Sequence, residues 1–378
     1  MLANLESGTM GTLGSPASPQ PLSWSKDSQH IAAAVLNPYA RRYREGVYEL
    51  LVMSIEGKTV ARINTQPHLS PFDVRLTPDG HGVGYVQGGQ LYYQAIDAAF
   101  KPVGASRLFS QAIADMPAWS GDGKTVLALS GDKVRRFDIA SGKEIEARVV
   151  PLDYSRKLAT SRWTLRTSRL FDGINQDYIE NIDIVINGNR IEAMQPRRSD
   201  SPKPIVDVSS YSVMPGLFEM HAHMGNPREP QGRTWLAYGI TSVRDPGSNP
   251  YLAKERQEVW DSGRRPGPRT HVTGYLTDGN RVYYPIAESL NKQNLDIALE
   301  RTQALKLDFI KTYVRLSDSE QRKVVKFAHK LGIPTSSHEL FPAAAHGMDH
   351  VEHIGGTSRR GYQPKVTSLG YSLSLIHI

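Results

Sequence analysis

Five nitrogen-bearing side chains fall at or near the ends of short apolar or β-rich runs: His221 and His223 after Met214 to Met220, Lys311 within Asp308 to Tyr313, His338 after Ile333 to Ser337, and His353 closing His350 to His353. The apolar run closed by His-Ala-His reads as a buried strand, and on a strand residues two apart point to one side, so His221 and His223 aim together while Ala222 faces away. Two imidazoles converging at a strand end suit one divalent cation, and a hydrogen-bonded pair of strand histidines is the other reading. The chain has no cysteine, which excludes disulfides and thiolate ligands and leaves His, Asp, Glu and Lys to hold any metal. Lys311 is the odd member, because an ammonium repels a cation and has no lone pair to give; its ordinary role is a salt bridge to a neighbouring carboxylate. Two further residues are candidates at a lower rank. His271, in a predicted third strand, faces either a substrate cavity or the core, and Asp245, ending a predicted second strand, either orients a ligand histidine or belongs to the turn Asp-Pro-Gly.

The elements that carry these residues alternate. After His223 the pattern predicts a helix ending at Trp235 to Gly239, strand two at Ile240 to Asp245, strand three at Arg269 to Tyr275, a helix from about Leu295 to Lys306 and strand four at Asp308 to Tyr313. A helix from about Ser317 to Leu331 opens on a capping-box-like Ser-Asp-Ser-Glu and leads to strand five at Ile333 to His338; Ala343 to Gly347 then turns into strand six, His350 to His353. Strand–helix alternation of this kind predicts a parallel α/β barrel, whose strand ends meet on one face. His346 and His350 read as structural, and His329, His30, His68 and His81 as solvated.

The phrase Val213 to His223, with Ile205-Val206-Asp207 ahead of it, resembles the first barrel strand of the amidohydrolase superfamily, nearest to its imidazolonepropionase-like and prolidase-like branches; the likeness runs from about Trp163 to about Thr357. Glu219 stands where that family usually has Asp. The resemblance implies a ligand set of His221, His223, Lys311, His338 and His353. It also implies a carbamylated Lys311 bridging two divalent metals, zinc by expectation, and a water between them that attacks an amide-type C–N bond. The family's proton-handling aspartate ends strand eight. Only 25 residues follow His353, whereas two more βα units need roughly 60, so no counterpart is expected within this chain and the catalytic residue stays unassigned.

The front third repeats itself. Trp24-Ser-Lys-Asp-Ser28, Leu76-Thr-Pro-Asp-Gly80 and Trp119-Ser-Gly-Asp-Gly123 each place a Ser- or Thr-led turn before a β-rich strand, at a spacing near the ~40 to 50 residues of propeller blades. This resembles TolB-like and WD40-like propellers, with later strands at Tyr48 to Met53 and Leu91 to Ile96; a small open β-sheet domain is the alternative. Asn4 to Gly8 matches Asp138 to Gly142 in type, as if an earlier blade preceded it. Between these parts, Ile184 to Ile191 joins two strands through Asn-Gly, a hairpin signal. The expected organisation is multidomain: an all-β partial propeller of about three blades over 1–155, a small β-sandwich over 160–213, and an incomplete (β/α)8 TIM-type barrel over 214–378.

A net charge of +7 on 378 residues is scattered, so it reads as solvated surface and predicts no nucleic-acid partner. No run approaches the ~20 apolar residues of a membrane helix, and Met1 to Gln20 lacks a signal-peptide pattern, so no membrane partner is expected. The compartment stays open, an exported parent included, and the expected partner is a small-molecule substrate, with a homo-oligomer compatible. Esterase or phosphotriesterase chemistry, and a propeller binding protein with a degenerate barrel, are the competing functions. The purified 378-residue chain is expected to hydrolyse nothing for want of a closed barrel, and measurable turnover in a substrate screen contradicts that.

Overall fold

In each front repeat a side chain closes the turn. Thr77 Oγ donates to Asp79 at 2.5 Å and accepts from the Gly82 amide at 2.9 Å, while Asp79 accepts from the His81 amide at 2.9 Å. Ser120 and Asp122 repeat this at 2.6 Å with Thr125 and Lys124, and Ser25 and Asp27 do so with His30 and Gln29. These side chains satisfy backbone groups that the reversal leaves unpaired. The computed structural model describes residues 2–3, 6–11, 22–38, 46–65, 71–151, 155–156, 158–224, 231–279, 287–290, 292–314, 316–339 and 343–352. They divide into two compact units, Met1–Leu152 with Pro246–Tyr251 and Val272–Ile378, and Asp153–Asp245 with Leu252–His271.

In the first unit a short hairpin, β1 (Leu2–Ala3) and β2 (Met10–Gly11), precedes three four-stranded antiparallel meanders. The first holds β3 (Ser23–Trp24), β4 (His30–Pro38), β5 (Gly46–Ser54) and β6 (Thr59–Ile63). The second holds β7 (Pro71–Leu76), β8 (Gly82–Gln87), β9 (Gln90–Ile96) and β10 (Pro102–Leu108). The third holds β11 (Asp115–Trp119), β12 (Thr125–Ser130), β13 (Lys133–Asp138) and β14 (Glu144–Val149). Consecutive meanders share cores: Ala32, Leu50 and Val52 pack with Val74, Val83 and Tyr85, and Leu91 and Phe109 pack with Val126 and Phe137. The Leu76 amide donates to Ser23 Oγ at 2.9 Å and the Trp119 indole N–H to the Arg75 carbonyl at 3.2 Å. Each of the three repeats thus belongs to one four-stranded antiparallel meander.

The second unit contains β15 (Arg162–Leu170), β16 (Ile179–Asn187), β17 (Arg190–Pro196), β18 (Ile205–Asp207) and β19 (Ser212–Val213). The Asn-Gly hairpin forms as read, with Asn187 opposite Arg190 and Gly188 at φ +60°. The expected sandwich does not appear among the described residues. These strands make one mixed sheet, because β18 and β19 both run parallel beside β15 instead of folding over it. Asp183 is wholly buried and accepts from Arg166, Ser201 Oγ and the Arg198 amide, which hold its carboxyl below the usual range. Next come β20 (Leu217–Glu219), α1 (Gln231–Ala237), β21 (Ile240–Asp245), α2 (Pro250–Asp261) and β22 (Arg269–Val272), with the strands ordered β20-β21-β22. β20 was expected to be buried, yet Leu217 is 47% and Phe218 68% exposed; β20 is the edge of this sheet.

The remainder of the first unit is a parallel sheet ordered β24-β23-β25-β26-β27, from β23 (Leu276–Asp278), β24 (Ala287–Ser289), β25 (Ile310–Thr312), β26 (Thr335–Ser337) and β27 (His350–Val351). Its helices are α3 (Asn294–Ala304) and α4 (Asp318–Leu331), whose Leu295, Leu299, Val324 and Ala328 pack over Ile310. The capping box forms in full, with Ser317 Oγ accepting from the Glu320 amide and the Glu320 side chain from the Ser317 amide, and Gly332 closes α4 at φ +72°. Among the described residues the strands after Val213 lie in two sheets, β20-β21-β22 and β24-β23-β25-β26-β27, and do not close into a barrel. Among the described residues no helix is long and apolar enough to cross a membrane. A Cβ placed on Gly84 meets the Trp119 ring at 2.5 Å. Gly84→Ala is expected to destabilise the second and third meanders by about 1–3 kcal/mol, read as a lower urea midpoint at unchanged m-value.

Candidate functional site

Lys311 sits in the middle of β25, flanked by Ile310 and Thr312, and all three are buried. It pairs in register with Ser336 of β26, which in turn pairs with His350 of β27. Parallel neighbours share a face and residues two apart return to it, so Lys311, Ser336 and His338 belong to one side of this sheet. His338 lies just beyond the C-terminal end of β26 with its ring edge-on to Tyr313, centroids 4.7 Å apart. Burying a lysine ammonium is costly unless something offsets its charge.

Two carboxylates that motif reading missed accompany them. Asp278 ends β23, is wholly buried, and its Oδ1 accepts from the Gly279 amide at 2.9 Å. The pairing of Thr277 with Thr312 puts Asp278 at the same end of the sheet as Lys311 and Tyr313. Glu339 follows His338, is wholly buried, and its amide donates to Ser337 Oγ at 2.9 Å. Thr-Asp-Gly reads as a plain turn and His-Glu as a strand exit. Their one sequence signal was position, a carboxylate at the C-terminal end of a parallel strand.

In the second unit the backbone ladder continues past β20, with the Ala222 amide donating to the Arg244 carbonyl at 3.1 Å. The ring centroids of His221 and His223 are 5.1 Å apart and nearly perpendicular, with His221 partly buried and His223 exposed. Glu219 accepts from the His221 amide at 2.8 Å, so this carboxylate shapes the turn that presents the two histidines. His271 is exposed on β22. Asp245 is wholly buried at the end of β21 and accepts from Arg256 of α2 at 2.6 Å, while Arg256 is itself wholly buried.

His353 lies outside the described residues, as do His68 and Tyr371 to Ile378. His346 pairs with Asp318 at 2.7 Å and His329 with Asp349 at 3.0 Å. The structural reading of His346 therefore agrees with its contacts, and His329 is exposed as its solvated reading expects, with Asp349 as an added partner. Asp349 also accepts from the Thr335 amide at 2.7 Å, so the His329 pair helps to fasten the start of β26. Among the described residues no three His, Asp or Glu side chains gather in a way that could hold a metal ion. The donor types still suit one: two imidazoles just past the end of β20, and a buried lysine and an imidazole carried by the neighbouring strands β25 and β26.

No known family's sequence profile matches the chain, and no curated protein matches it. Solved structures similar to it include a Xaa-Pro dipeptidase with bound methionine in its active site, at 22% identity and a TM-score of 0.43, covering 51% of this chain and 62% of that one. Another is the bottromycin amidohydrolase, at 19% identity and a TM-score of 0.44, covering 58% and 48%. The β-propeller domain of Cps50 (Swd1) from Myceliophteria thermophila is similar at 12% identity and a TM-score of 0.28, covering 37% and 44%. The chain thus spans about three fifths of the dipeptidase and half of the amidohydrolase. Superpositions of this quality assign no activity.

Removing one partner of a buried ion pair leaves the other charge without it in a dry site, at about 3–5 kcal/mol. Arg256→Leu is therefore expected to cost stability on that scale in urea unfolding, and a change below about 1 kcal/mol contradicts the role given to this pair.

Proposed function

We propose that this chain carries part of a metal-dependent hydrolase of the amidohydrolase type, acting on an amide-type C–N bond in a cyclic amide or a dipeptide. The observation that supports it most is the exit of Lys311 and His338 from adjacent parallel strands on one face, at or near their C-terminal ends. That is where loops build the site of an α/β barrel. His221 and His223, paired at the end of β20, fit the same plan, and the finer fold reading is an incomplete (β/α)8 barrel.

In this reading His221, His223, Lys311, His338 and His353 hold a divalent metal, zinc, with two ions in a complete site. When bound, such a pair supplies Lewis-acid activation of water and of the scissile carbonyl. The chain's own residues do the rest. Lys311 becomes an anionic donor when its amine adds carbon dioxide and releases a proton, which also relieves the cost of a buried ammonium. Asp245 orients the ligand side from behind, and His271 contacts the substrate. Tyr313, edge-on to His338, limits how far that imidazole can turn.

The test uses the full-length protein. Lys311→Ala and His338→Ala are each expected to lower bound metal per chain and to reduce turnover by more than the ~10–100-fold typical of an outer-shell partner. Metal analysis showing an unchanged ion count in both variants contradicts the ligand assignment.

A further inference from the structure

The first unit contains a charge cluster that includes none of the candidate ligands. Arg301 of α3 is buried; its Nε and Nη2 donate to Asp115 at 2.7 and 2.8 Å, and its Nη1 donates to Glu288 at 2.7 Å. Tyr251 adds a hydrogen bond from its hydroxyl to Asp115 at 2.9 Å and accepts from the Gly131 amide at 3.2 Å. Beside this saturated guanidinium lies a third buried carboxylate, Asp73 of β7, which accepts from the Met116 amide at 3.3 Å. No described cation lies within ion-pair distance of it; Arg75, its nearest basic neighbour in sequence, donates to the Val74 carbonyl.

The backbone at this point is strained. Asp73 sits at φ +48° and Met116 at φ +49°, both non-glycine residues in the left-handed region, and both within register shifts of β7 and β11, the first strands of their meanders. Such outliers persist only where surrounding contacts hold them. Here the holding contact is the bond from one strained residue to the carboxylate of the other.

We propose that Asp73 is a proton-operated latch: neutral, it lets β7 and β11 close against α3, and ionised, it repels Asp115 and loosens that junction. The groups facing it are Asp115, Arg75, Arg301 and Tyr275. Burial first, and then the Asp115 charge, push the Asp73 carboxyl up to about 6 from its ordinary 3.8. A carboxyl raised in the folded state binds more protons than in the unfolded chain. Stability therefore falls as pH rises from 3.8 to about 6, and the full penalty applies above that. The junction is tight in mild acid and looser at neutral pH.

Hydrogen exchange on the whole 378-residue chain tests this. Corrected for intrinsic rates, protection of the Gly131 amide should fall about 10-fold from about pH 5 to about pH 8, the one pKa unit that separates pH 5 from a carboxyl at about 6. In Asp73→Asn the fall should be no more than about threefold, and equal falls in both proteins, or none in the wild type, overturn the proposal. Should Asn not fold, Asp73→Ser serves in its place. In the wild type itself, an infrared band of a protonated carboxyl must disappear as pH rises through about 6, and no such titration likewise overturns it.

Discussion

A guanidinium taken out of water has to be met by carboxylates, and Arg301 shows what that demands of a fold. Its two partners come from distant parts of the chain, Asp115 from the first strand of the third meander and Glu288 from the parallel sheet. Burial works against the Arg301 charge, but Asp115 and Glu288 more than offset it and hold the group firmly protonated. Burial also raises the Glu288 carboxyl, which Arg301 opposes. Neither side of this junction is satisfied alone. The meanders and the α/β segment must therefore form together, or each leaves charge stranded in a dry interior.

Around that constraint the unit uses cheaper local devices. The Ser/Thr–Asp turns complete their hydrogen bonds within a few residues, so each meander can begin before its neighbours exist. The packing of Trp119 onto Gly84 then stacks one sheet on the next. Asn294 reaches the Gly88 carbonyl at 3.2 Å and Gln90 at 3.0 Å, a second polar tie between α3 and the second meander. The same α/β segment presents Lys311 and His338, so the junction that anchors α3 also steadies two of the five candidate ligands.

What was legible in the sequence follows this division between local and distant forces. The three turns, the Asn-Gly hairpin and the Ser317 capping box are decided by side chains within about five residues of their partners, and each formed where the pattern placed it. The strands bearing Lys311 and His338 were legible because helical and strand periods alternate around them. Asp115 and Arg301 carried no signal, since 186 residues separate them and no periodicity links them. The burial of β20 was misread from its apolar run, because an edge position is decided by which strands arrive beside it. Predicted strand three ends early, at Val272, and a Cβ placed on Gly274 just beyond it would meet Pro250 at 3.1 Å and Leu307 at 3.2 Å.

The most direct test of this account is a double-mutant cycle on Asp115→Asn and Arg301→Gln, with unfolding free energies measured in urea at a fixed pH. A junction that depends on this contact gives a coupling of about 2 kcal/mol or more between the two sites. Effects that add to within about 0.5 kcal/mol contradict it, because independent sites sum in that way.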